Sequence, residues 1–189
     1  MEKKILICGH RSFVATGLIN KFKTAGIDFD CFSRGKEERN GNVVTGDVFL
    51  MHQNSELSEN YDTVVNYILL KGKSVEENIQ YCQSLLQFCK DKHVKHLIQI
   101  SSISVYPNES LEVDETSAIE EDYHNKGGYA SIKVAVDHYL MEHPIGGLHV
   151  SFVRPGYIYT KNQDISKAGI LVSKFGLNIL LGDKRTTVS

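Results

Sequence analysis

The feature that most constrains the fold of this chain is a regular alternation of short apolar runs with segments of helical spacing. Six runs have the length of a buried strand, namely Lys4–Cys8, Asp28–Ser33, Asn42–Gly46, Asp62–Leu70, His96–Ser101 and His149–Arg154. Three segments repeat their apolar residues at the period of a helix, namely Val14–Ala25, Val75–Lys92 and Gly127–Glu142. Strands that alternate with helices are joined by right-handed crossovers. The sequence therefore predicts an α/β fold with a doubly wound parallel sheet, covered by helices on both faces.

The composition excludes several classes of protein. A formal net charge of −2 over 189 residues gives no electrostatic basis for binding nucleic acid or an anionic membrane. No apolar run approaches the roughly 20 residues that span a bilayer, and the run after the first charges is too short for a signal peptide. The four cysteines lack the spacing of a metal site; they are Cys8, Cys31, Cys82 and Cys89. We therefore expect a cytoplasmic protein with reduced, buried thiols and no metal.

The turn after the first predicted strand reads CGHRSFVATG and has features of a dinucleotide site. Gly9, Ser12 and Ala15 stand where such a site needs a turn glycine and small residues beside the pyrophosphate. Only Gly9 is a glycine, so the pattern by itself also fits an ordinary tight turn between a strand and a helix. Its position is informative, because ligands of parallel sheets bind at the carboxyl ends of the strands, where the strand order reverses.

Three later motifs follow this turn in a fixed order. ISSISVY places Ser101 and Ser102 at the end of the fifth predicted strand, YASIK places Tyr129 and Lys133 on a helix, and VRPGYIY leaves the sixth strand. The ordered set resembles the extended short-chain dehydrogenase/reductase family, the NAD(P)-dependent nucleotide-sugar epimerases, dehydratases and reductases. The resemblance covers nearly the whole chain. It implies a Rossmann-type fold and an enzyme that acts on a nucleotide-linked sugar.

The resemblance also implies the catalytic residues. Tyr129 matches the family's acid–base tyrosine, Lys133 its partner lysine, and Ser102 the hydroxyl that hydrogen-bonds the substrate oxygen. Residues four apart share one face of a helix, and an ammonium near a phenol is expected to lower the pKa of the phenol from near 10. An acid–base group with a pKa nearer neutrality works better, and the lysine is also expected to reach the nicotinamide ribose.

The cofactor site implied by the resemblance is wider. We expect contacts from residues along the carboxyl edge of the sheet, namely Gly9, Arg11, Ser12, Phe13, Val14, Ser33, Arg34, Asp47, Val48, Tyr67, Ile68, Ser101, Tyr129, Lys133 and Pro155. Asp47 stands where the family often holds the adenine. Ile68 is bulkier than the family residue beside the pyrophosphate. Tyr106 is expected to pack or form a pocket wall, and Asn78 fits a structural role as well as a catalytic one.

The choice of cofactor depends on charge at the end of the second strand. NAD-specific sites usually place an acidic residue there to bind the ribose 2′-hydroxyl. This chain reads FSRGK instead, so Ser33, Arg34 and Lys36 are candidates to bind a 2′-phosphate, with Arg11 in the first turn. The alternative is that these cations are solvated on a surface loop. We predict NADP in preference to NAD.

The type of reaction follows from what stands after the strand-end serines. The family's 4,6-dehydratases carry an Asp-Glu pair where this chain has Ile103 and Ser104, so an epimerase or a ketoreductase is expected. A preference for NADP favours reduction. The alternative from another class is a sensor or scaffold of the same fold that binds NADP without turnover.

The sequence also predicts the organisation of the molecule. Residues 1–160 are expected to form the cofactor domain, and residues 161–189 the start of a substrate-binding lobe that continues further in the family. An apolar series at Ile170, Leu171, Phe175, Ile179 and Leu180 predicts a helix there. The resemblance implies a homodimer, formed through a four-helix bundle by the predicted helices Val75–Lys92 and Gly127–Glu142.

Overall fold

The computed structural model describes residues 4–58, 60–109, 112–156, 158, 171–174 and 177–180. Its main sheet has seven strands: β1 (Lys4–Cys8), β2 (Phe29–Arg34), β3 (Glu38–Asn40), β4 (Val43–Gly46), β5 (Tyr61–Asn66), β6 (His96–Ile100) and β7 (His149–Val153). Three helices connect them: α1 (Phe13–Ala25), α2 (Val75–Asp91) and α3 (Gly128–Glu142). Each helix and strand of this region that the sequence predicts is present, within a few residues of its expected ends.

The strand order across the sheet is β3-β4-β2-β1-β5-β6-β7. All neighbours from β4 to β7 pair in parallel, and only β3 is antiparallel to its neighbour β4. The order reverses between β1 and β5, since the chain runs outward from β1 in one direction and then from β5 in the other. The predicted doubly wound α/β fold is confirmed, and a ligand is expected above that reversal.

The central strand β1 is buried on both faces of the sheet, which explains why it is a continuous apolar run. Leu6 and Cys8 of β1 pack into a core cluster with residues of α2 and α3, whereas Ile7 packs with Ala15 of α1 and Phe29 of β2. Successive side chains of a strand point to opposite faces, so one strand serves both clusters. The four cysteines are all buried as free thiols.

Two details of the sheet differ from the sequence prediction. The fourth predicted strand was expected to reach Leu70, but β5 ends at Asn66, where the Asn66 carboxamide oxygen accepts from Ile68 N and bends the chain away. The second difference is β3, which the sequence did not predict because its residues Glu-Arg-Asn are polar and it has only three of them. Arg39 holds β3 in place by donating to Asp30 of β2 at 3.2 Å.

The prediction of a helix from the apolar series near the C-terminus is wrong. The structure has two short strands instead, β8 (Leu171–Lys174) and β9 (Leu177–Leu180), which pair antiparallel with Val172 opposite Ile179. β-branched residues favour strands over helices, and here they stand in register. Ile170 and Phe175 lie outside the described residues, as does the predicted domain boundary near residue 160. Within the described part of the chain, no helix has the length and apolarity needed to cross a membrane.

Candidate active site

A cleft of about 1140 Å³ opens at the carboxyl ends of β1, β2, β5 and β6, above the reversal of strand order. The predicted site residues that line it are Gly9, Arg11, Ser12, Phe13, Val14, Ser33, Arg34, Tyr67, Ile68, Ser101, Ser102, Tyr129, Lys133 and Pro155. The fold therefore brings together residues from 9 to 155 that are far apart in the sequence. Lys36, Asp47 and Val48 were expected to contact the cofactor but do not line the cleft.

The first turn approaches the neighbouring strand closely at Gly9. This residue has a φ of +84°, and a Cβ at this position would lie 3.1 Å from both the backbone nitrogen and Cγ1 of Ile68. Its N–H donates to Phe32 O at 2.8 Å. Only glycine combines this backbone conformation with such a close approach. The bulk of Ile68, noted in the sequence, therefore lies directly beside the turn.

The N-terminus of α1 lies on the wall of the cleft, which Ser12, Phe13 and Val14 line. Ser12 is the N-cap residue, yet its side chain makes no capping hydrogen bond, and the first turn has no acidic residue. The first N–H groups of a helix lack partners within the helix and carry part of the positive end of its dipole. An uncapped helix start on the wall of a cleft suits an anion such as a pyrophosphate.

The end of β2 supplies a hydroxyl and a cation. Ser33 is 7% exposed, and its Oγ is buried without a hydrogen-bond partner. Arg34, the next residue, is exposed, and both line the cleft. Buried polar groups in folded proteins nearly always have a partner, so the Ser33 hydroxyl beside the cleft is a candidate to bind a ligand.

Ser102 follows β6 and caps a short 3₁₀ turn at Ile103–Val105. Its Oγ accepts hydrogen bonds from the backbone N–H of Ser104 at 3.2 Å and from the Ser104 hydroxyl at 3.0 Å. These two bonds occupy the acceptor positions of the Ser102 oxygen. Its own proton therefore remains to be donated, and the Tyr129 phenol oxygen in the cleft is one acceptor for it.

Tyr129 and Lys133 stand on consecutive turns of α3. The Lys133 Nζ lies 5.7 Å from the centre of the Tyr129 ring and donates to Ile100 O at 2.5 Å. Lys133 is only 3% exposed, whereas Tyr129 is 48% exposed at the mouth of the cleft. Burial lowers the pKa of Lys133 to about 8, and the nearby carboxylate of Asp137 opposes that change.

The expectation that Lys133 lowers the pKa of Tyr129 is wrong for this structure. Desolvation raises the pKa of the Tyr129 phenol, a hydrogen bond with Ser102 lowers it, and the charge of Asp137 raises it further. The physical reason is the placement of Lys133, whose ammonium binds a main-chain carbonyl rather than the phenol oxygen. Tyr129 is therefore a protonated phenol near neutral pH.

Sequence reasoning missed two groups at the site. Lys71 lines the cleft just after β5, where its position beyond a predicted strand could have signalled it. The other is a buried set behind the cleft wall, in which Asp137 accepts from Ser101 Oγ at 2.8 Å and from Arg154 Nε at 3.1 Å. An aspartate within the apolar stretch KVAVDHYL, four residues after Lys133, was the available signal.

Several predicted residues have contacts within the protein. The Asp47 carboxylate accepts from Phe49 N at 2.9 Å and caps a 3₁₀ turn, while Val48 is buried in the core. Asn78 bonds to the main chain of Leu70 through both its oxygen and its nitrogen, so its contacts are those of a structural residue. Tyr106 packs against Arg154 and does not line the cleft, so of the two roles expected for it the structure supports packing.

Fold and cleft together define a Rossmann-type domain with its ligand site at the reversal of strand order. The chain belongs to the NAD dependent epimerase/dehydratase family, whose model matches residues 5–189. This confirms the resemblance read from the motifs. No curated protein matches the chain.

Solved structures show the same fold at low identity. A UDP-glucuronic acid 4-epimerase from Bacillus cereus in complex with NAD is 19% identical with a TM-score of 0.66, over 86% of this chain and 59% of that one. A UDP-N-acetylglucosamine 4-epimerase from Bacillus cereus is 21% identical with a TM-score of 0.63, over 81% and 53%. WbmG of Bordetella bronchiseptica, in complex with NAD and UDP, is 15% identical with a TM-score of 0.63, over 82% and 53%. The chain thus spans about half the length of the structures it matches.

Proposed function

We propose that this chain binds a nicotinamide dinucleotide and serves an oxidoreductase or epimerase that acts on a nucleotide-linked sugar. The observation that carries the proposal is the meeting of Ser102, Tyr129 and Lys133 in one cleft with the uncapped start of α1. An anion site and a proton-handling site in the same cleft are what such a reaction requires. Membership of an NAD dependent family supports it.

The described residues fit a dinucleotide along the cleft. The free N–H groups at the start of α1 would hold the pyrophosphate, with Gly9 allowing a close approach, and Pro155 would border the nicotinamide. When bound, the nicotinamide supplies the exchange of a hydride with a substrate carbon. The chain's own residues then bind, orient and move the proton.

Tyr129 is the proposed acid–base residue. Because its pKa is raised, the phenol is protonated near neutral pH and can donate its proton to a substrate oxygen as a carbonyl becomes a hydroxyl. In the reverse direction the phenolate would take the proton back. Ser102, with its acceptor positions filled by Ser104, would donate to the same oxygen and orient it. Lys133 would hold the ribose hydroxyls.

The proposed substrate is a sugar attached to a nucleotide, and the proposed reaction is ketoreduction or epimerisation. The printed names of two matched structures are those of UDP-sugar 4-epimerases, which supports this substrate class. Ile103 and Ser104 stand where the resembling dehydratases have an acidic pair, so elimination of water is not proposed. A homodimer is likewise proposed from the family resemblance.

We propose NADP as the preferred cofactor. The buried Ser33 hydroxyl without a partner and the adjacent Arg34 guanidinium form a donor pair at the end of β2, where a ribose 2′-phosphate would lie. The position has no carboxylate to bind a 2′-hydroxyl. Charge-assisted hydrogen bonds to a phosphate are among the stronger polar contacts in proteins.

The test of the proposed function is the Tyr129→Phe variant. Removing the hydroxyl should lower turnover of a sugar-nucleotide substrate by about 10²–10⁴-fold, the usual contribution of an acid–base group, while NADPH binding is retained. Tyr139→Phe is the matched control, because Tyr139 lies on the same helix and stacks on His143 rather than lining the cleft. Turnover by Tyr129→Phe at the rate of Tyr139→Phe would refute the catalytic assignment.

A second candidate is a sensor or scaffold that binds NADP without turnover. The observation that favours it is Ile68, whose side chain lies beside Gly9 and narrows the path of the pyrophosphate. Saturable NADPH binding without turnover across a panel of sugar nucleotides would select this candidate. Conversion of one of them to a reduced or epimerised sugar nucleotide, absent in Tyr129→Phe, would select the enzyme.

A further inference from the structure

The carboxylate of Asp137 lies just behind the wall of the cleft and joins three segments. Its Oδ2 accepts from Ser101 Oγ, which follows β6, at 2.8 Å, and from Arg154 Nε, which follows β7, at 3.1 Å. Lys133 precedes it by one turn of α3, on the same helix face. Ser101 and Lys133 line the cleft, whereas Asp137 itself does not.

This carboxylate is costly for the fold. Asp137 is 0% exposed, and its Oδ1 is buried without a hydrogen-bond partner. A buried ion pair rarely stabilises a protein more than an apolar residue of similar volume would, and an unpaired carboxylate oxygen adds to the cost. Stability alone therefore does not account for an aspartate in the middle of α3.

We propose that Asp137 is a positioning residue that keeps Lys133 in its ammonium form at the Ile100 carbonyl, facing the cleft. The catalytic value of that ammonium rests on the proposed function, but the coupling between the two side chains does not. Asp137 would act only through Lys133, since Ser101 and the cleft wall separate it from a ligand.

The sign of the coupling follows from the groups that face Asp137. These are Lys133 and Tyr129 on α3, Ser101 after β6, Arg154 after β7 and Cys82 on α2. Burial raises the pKa of the Cys82 thiol to about 12, so it stays neutral. The charge of Asp137 raises the pKa of Lys133 against burial. Removing that charge therefore lowers the pKa of Lys133, and the ammonium is lost at a lower pH.

Tyr129 is a less direct probe of the same effect. The charge of Asp137 raises the pKa of the Tyr129 phenol directly, so its removal would lower that pKa whether or not Lys133 changes. The lysine is the group to measure.

The experiment is an NMR titration of the whole chain labelled with [ε-¹³C]lysine. The signal of Lys133 is identified by its absence in Lys133→Met. The wild-type signal should titrate near pH 8, and the isosteric Asp137→Asn variant should titrate at least about one unit lower, a tenfold change in acid dissociation constant. Asp137→Glu, which restores the charge, should recover part of the shift.

Ser101→Ala is the matched control for this titration. It removes a hydrogen bond to the same carboxylate but leaves the charge in place, so it should move the Lys133 midpoint less than Asp137→Asn does. An unchanged Lys133 midpoint in folded Asp137→Asn would overturn the proposal. Should Asp137→Asn not fold, Lys133→Met gives the reciprocal measurement. The pKa of Asp137, followed by [γ-¹³C]aspartate, should rise, and no rise would overturn the coupling.

Binding of NADPH separates this inference from the proposed function. In the wild type, affinity should fall as Lys133 loses its proton around pH 8, and in Asp137→Asn the fall should begin at lower pH. If the titration midpoint of Lys133 shifts in Asp137→Asn but the wild-type protein does not bind NADPH, the coupling is supported and the proposed function is refuted. Normal binding with an unshifted midpoint refutes the coupling and leaves the function standing.

Discussion

At the scale of single residues, the cleft is defined by side chains whose hydrogen-bonding capacity the protein leaves unused. The Ser33 hydroxyl is buried without a partner among the described residues, and Ser102, whose acceptor positions are filled by Ser104, keeps its proton to donate towards the Tyr129 phenol or a substrate oxygen. Such groups cost free energy in the empty protein and repay it when a ligand with matching groups arrives. These hydroxyl groups indicate the position of a bound ligand more precisely than the shape of the cleft does.

The residue-scale prediction concerns the choice of cofactor. Arg34→Ala should weaken binding of NADPH about tenfold or more, the scale of a lost charge-assisted hydrogen bond, and should leave NADH nearly unchanged. Nicotinamide fluorescence, titrated with both cofactors side by side, measures the two affinities. Lys21→Ala, which removes an exposed cation on α1 outside the cleft lining, controls for net charge. Equal losses for NADPH and NADH would contradict the assignment of Arg34 to a 2′-phosphate.

The sequence could predict a site residue where a motif fixes its position. It could not predict a side chain's orientation where that depends on how elements pack together. Tyr129 and Lys133 were predictable because a spacing of four places both on one helix face. The orientation of Lys133 towards Ile100 O was not, because it depends on how α3 packs over the end of β6. Asp47 shows the same limit, since its carboxylate caps a local turn outside the cleft.

At the scale of elements, α1 and α2 differ in whether a side chain caps the backbone N–H groups of the first turn. α2 begins with a capping box in which Ser74 Oγ accepts from Glu77 N at 3.2 Å and Ser74 N donates to the Glu77 carboxylate at 2.9 Å. α1 begins without a side-chain cap, at the cleft. The contrast indicates that the start of α2 contributes to stability, whereas the start of α1 is kept free for a ligand.

The element-scale prediction concerns the cap of α2. Ser74→Ala should lower the free energy of unfolding by about 1 kcal/mol, because it removes one half of the capping box. Urea denaturation followed by circular dichroism measures the change. Gln83→Ala, at an exposed position within α2, should change it by no more than about 0.5 kcal/mol. If Ser74→Ala lowers the free energy of unfolding no more than Gln83→Ala does, the cap does not contribute to stability.

The elements themselves were predictable from periodicity, and their exceptions have physical causes. The six predicted strands were recognisable as short runs rich in apolar residues, most clearly in β1, whose residues pack on both faces of the sheet. β3 was missed since an edge strand of three polar residues carries no such signal. Near the C-terminus the structure has β8 and β9 in place of the predicted helix. The apolar runs there are too short to distinguish the period of a helix from that of a strand, and the prediction used the helical period.

At the scale of the whole molecule, α2 and α3 lie side by side and have most of their apolar residues buried within the subunit. The outward residues of α2 are polar, and Gln80, Gln83 and Gln87 are exposed. If these helices form the proposed dimer, the interface is largely polar at its centre, with Met141 of α3 as an exposed apolar residue. Such an interface is sensitive to added charge.

The prediction at this scale is that light scattering after size exclusion gives twice the mass of one chain. The double variant Gln83→Glu and Gln87→Glu should shift that mass towards the monomer, because it places like charges on the proposed interface. The same two substitutions should leave the fold intact, as both positions are exposed. A wild-type chain that stays monomeric across micromolar concentrations would rule out the proposed dimer.

The short strand β3 has a consequence for how separate molecules meet. An incoming chain that tried to extend the sheet at β3 would find only three residues to pair with, and Arg39 among them is already tied to Asp30 and to the Glu56 carbonyl. That border of the sheet is therefore a poor template for strand addition. Among the strands that the structure describes, this leaves the opposite border of the sheet, along β7, as the place where sheet growth could start.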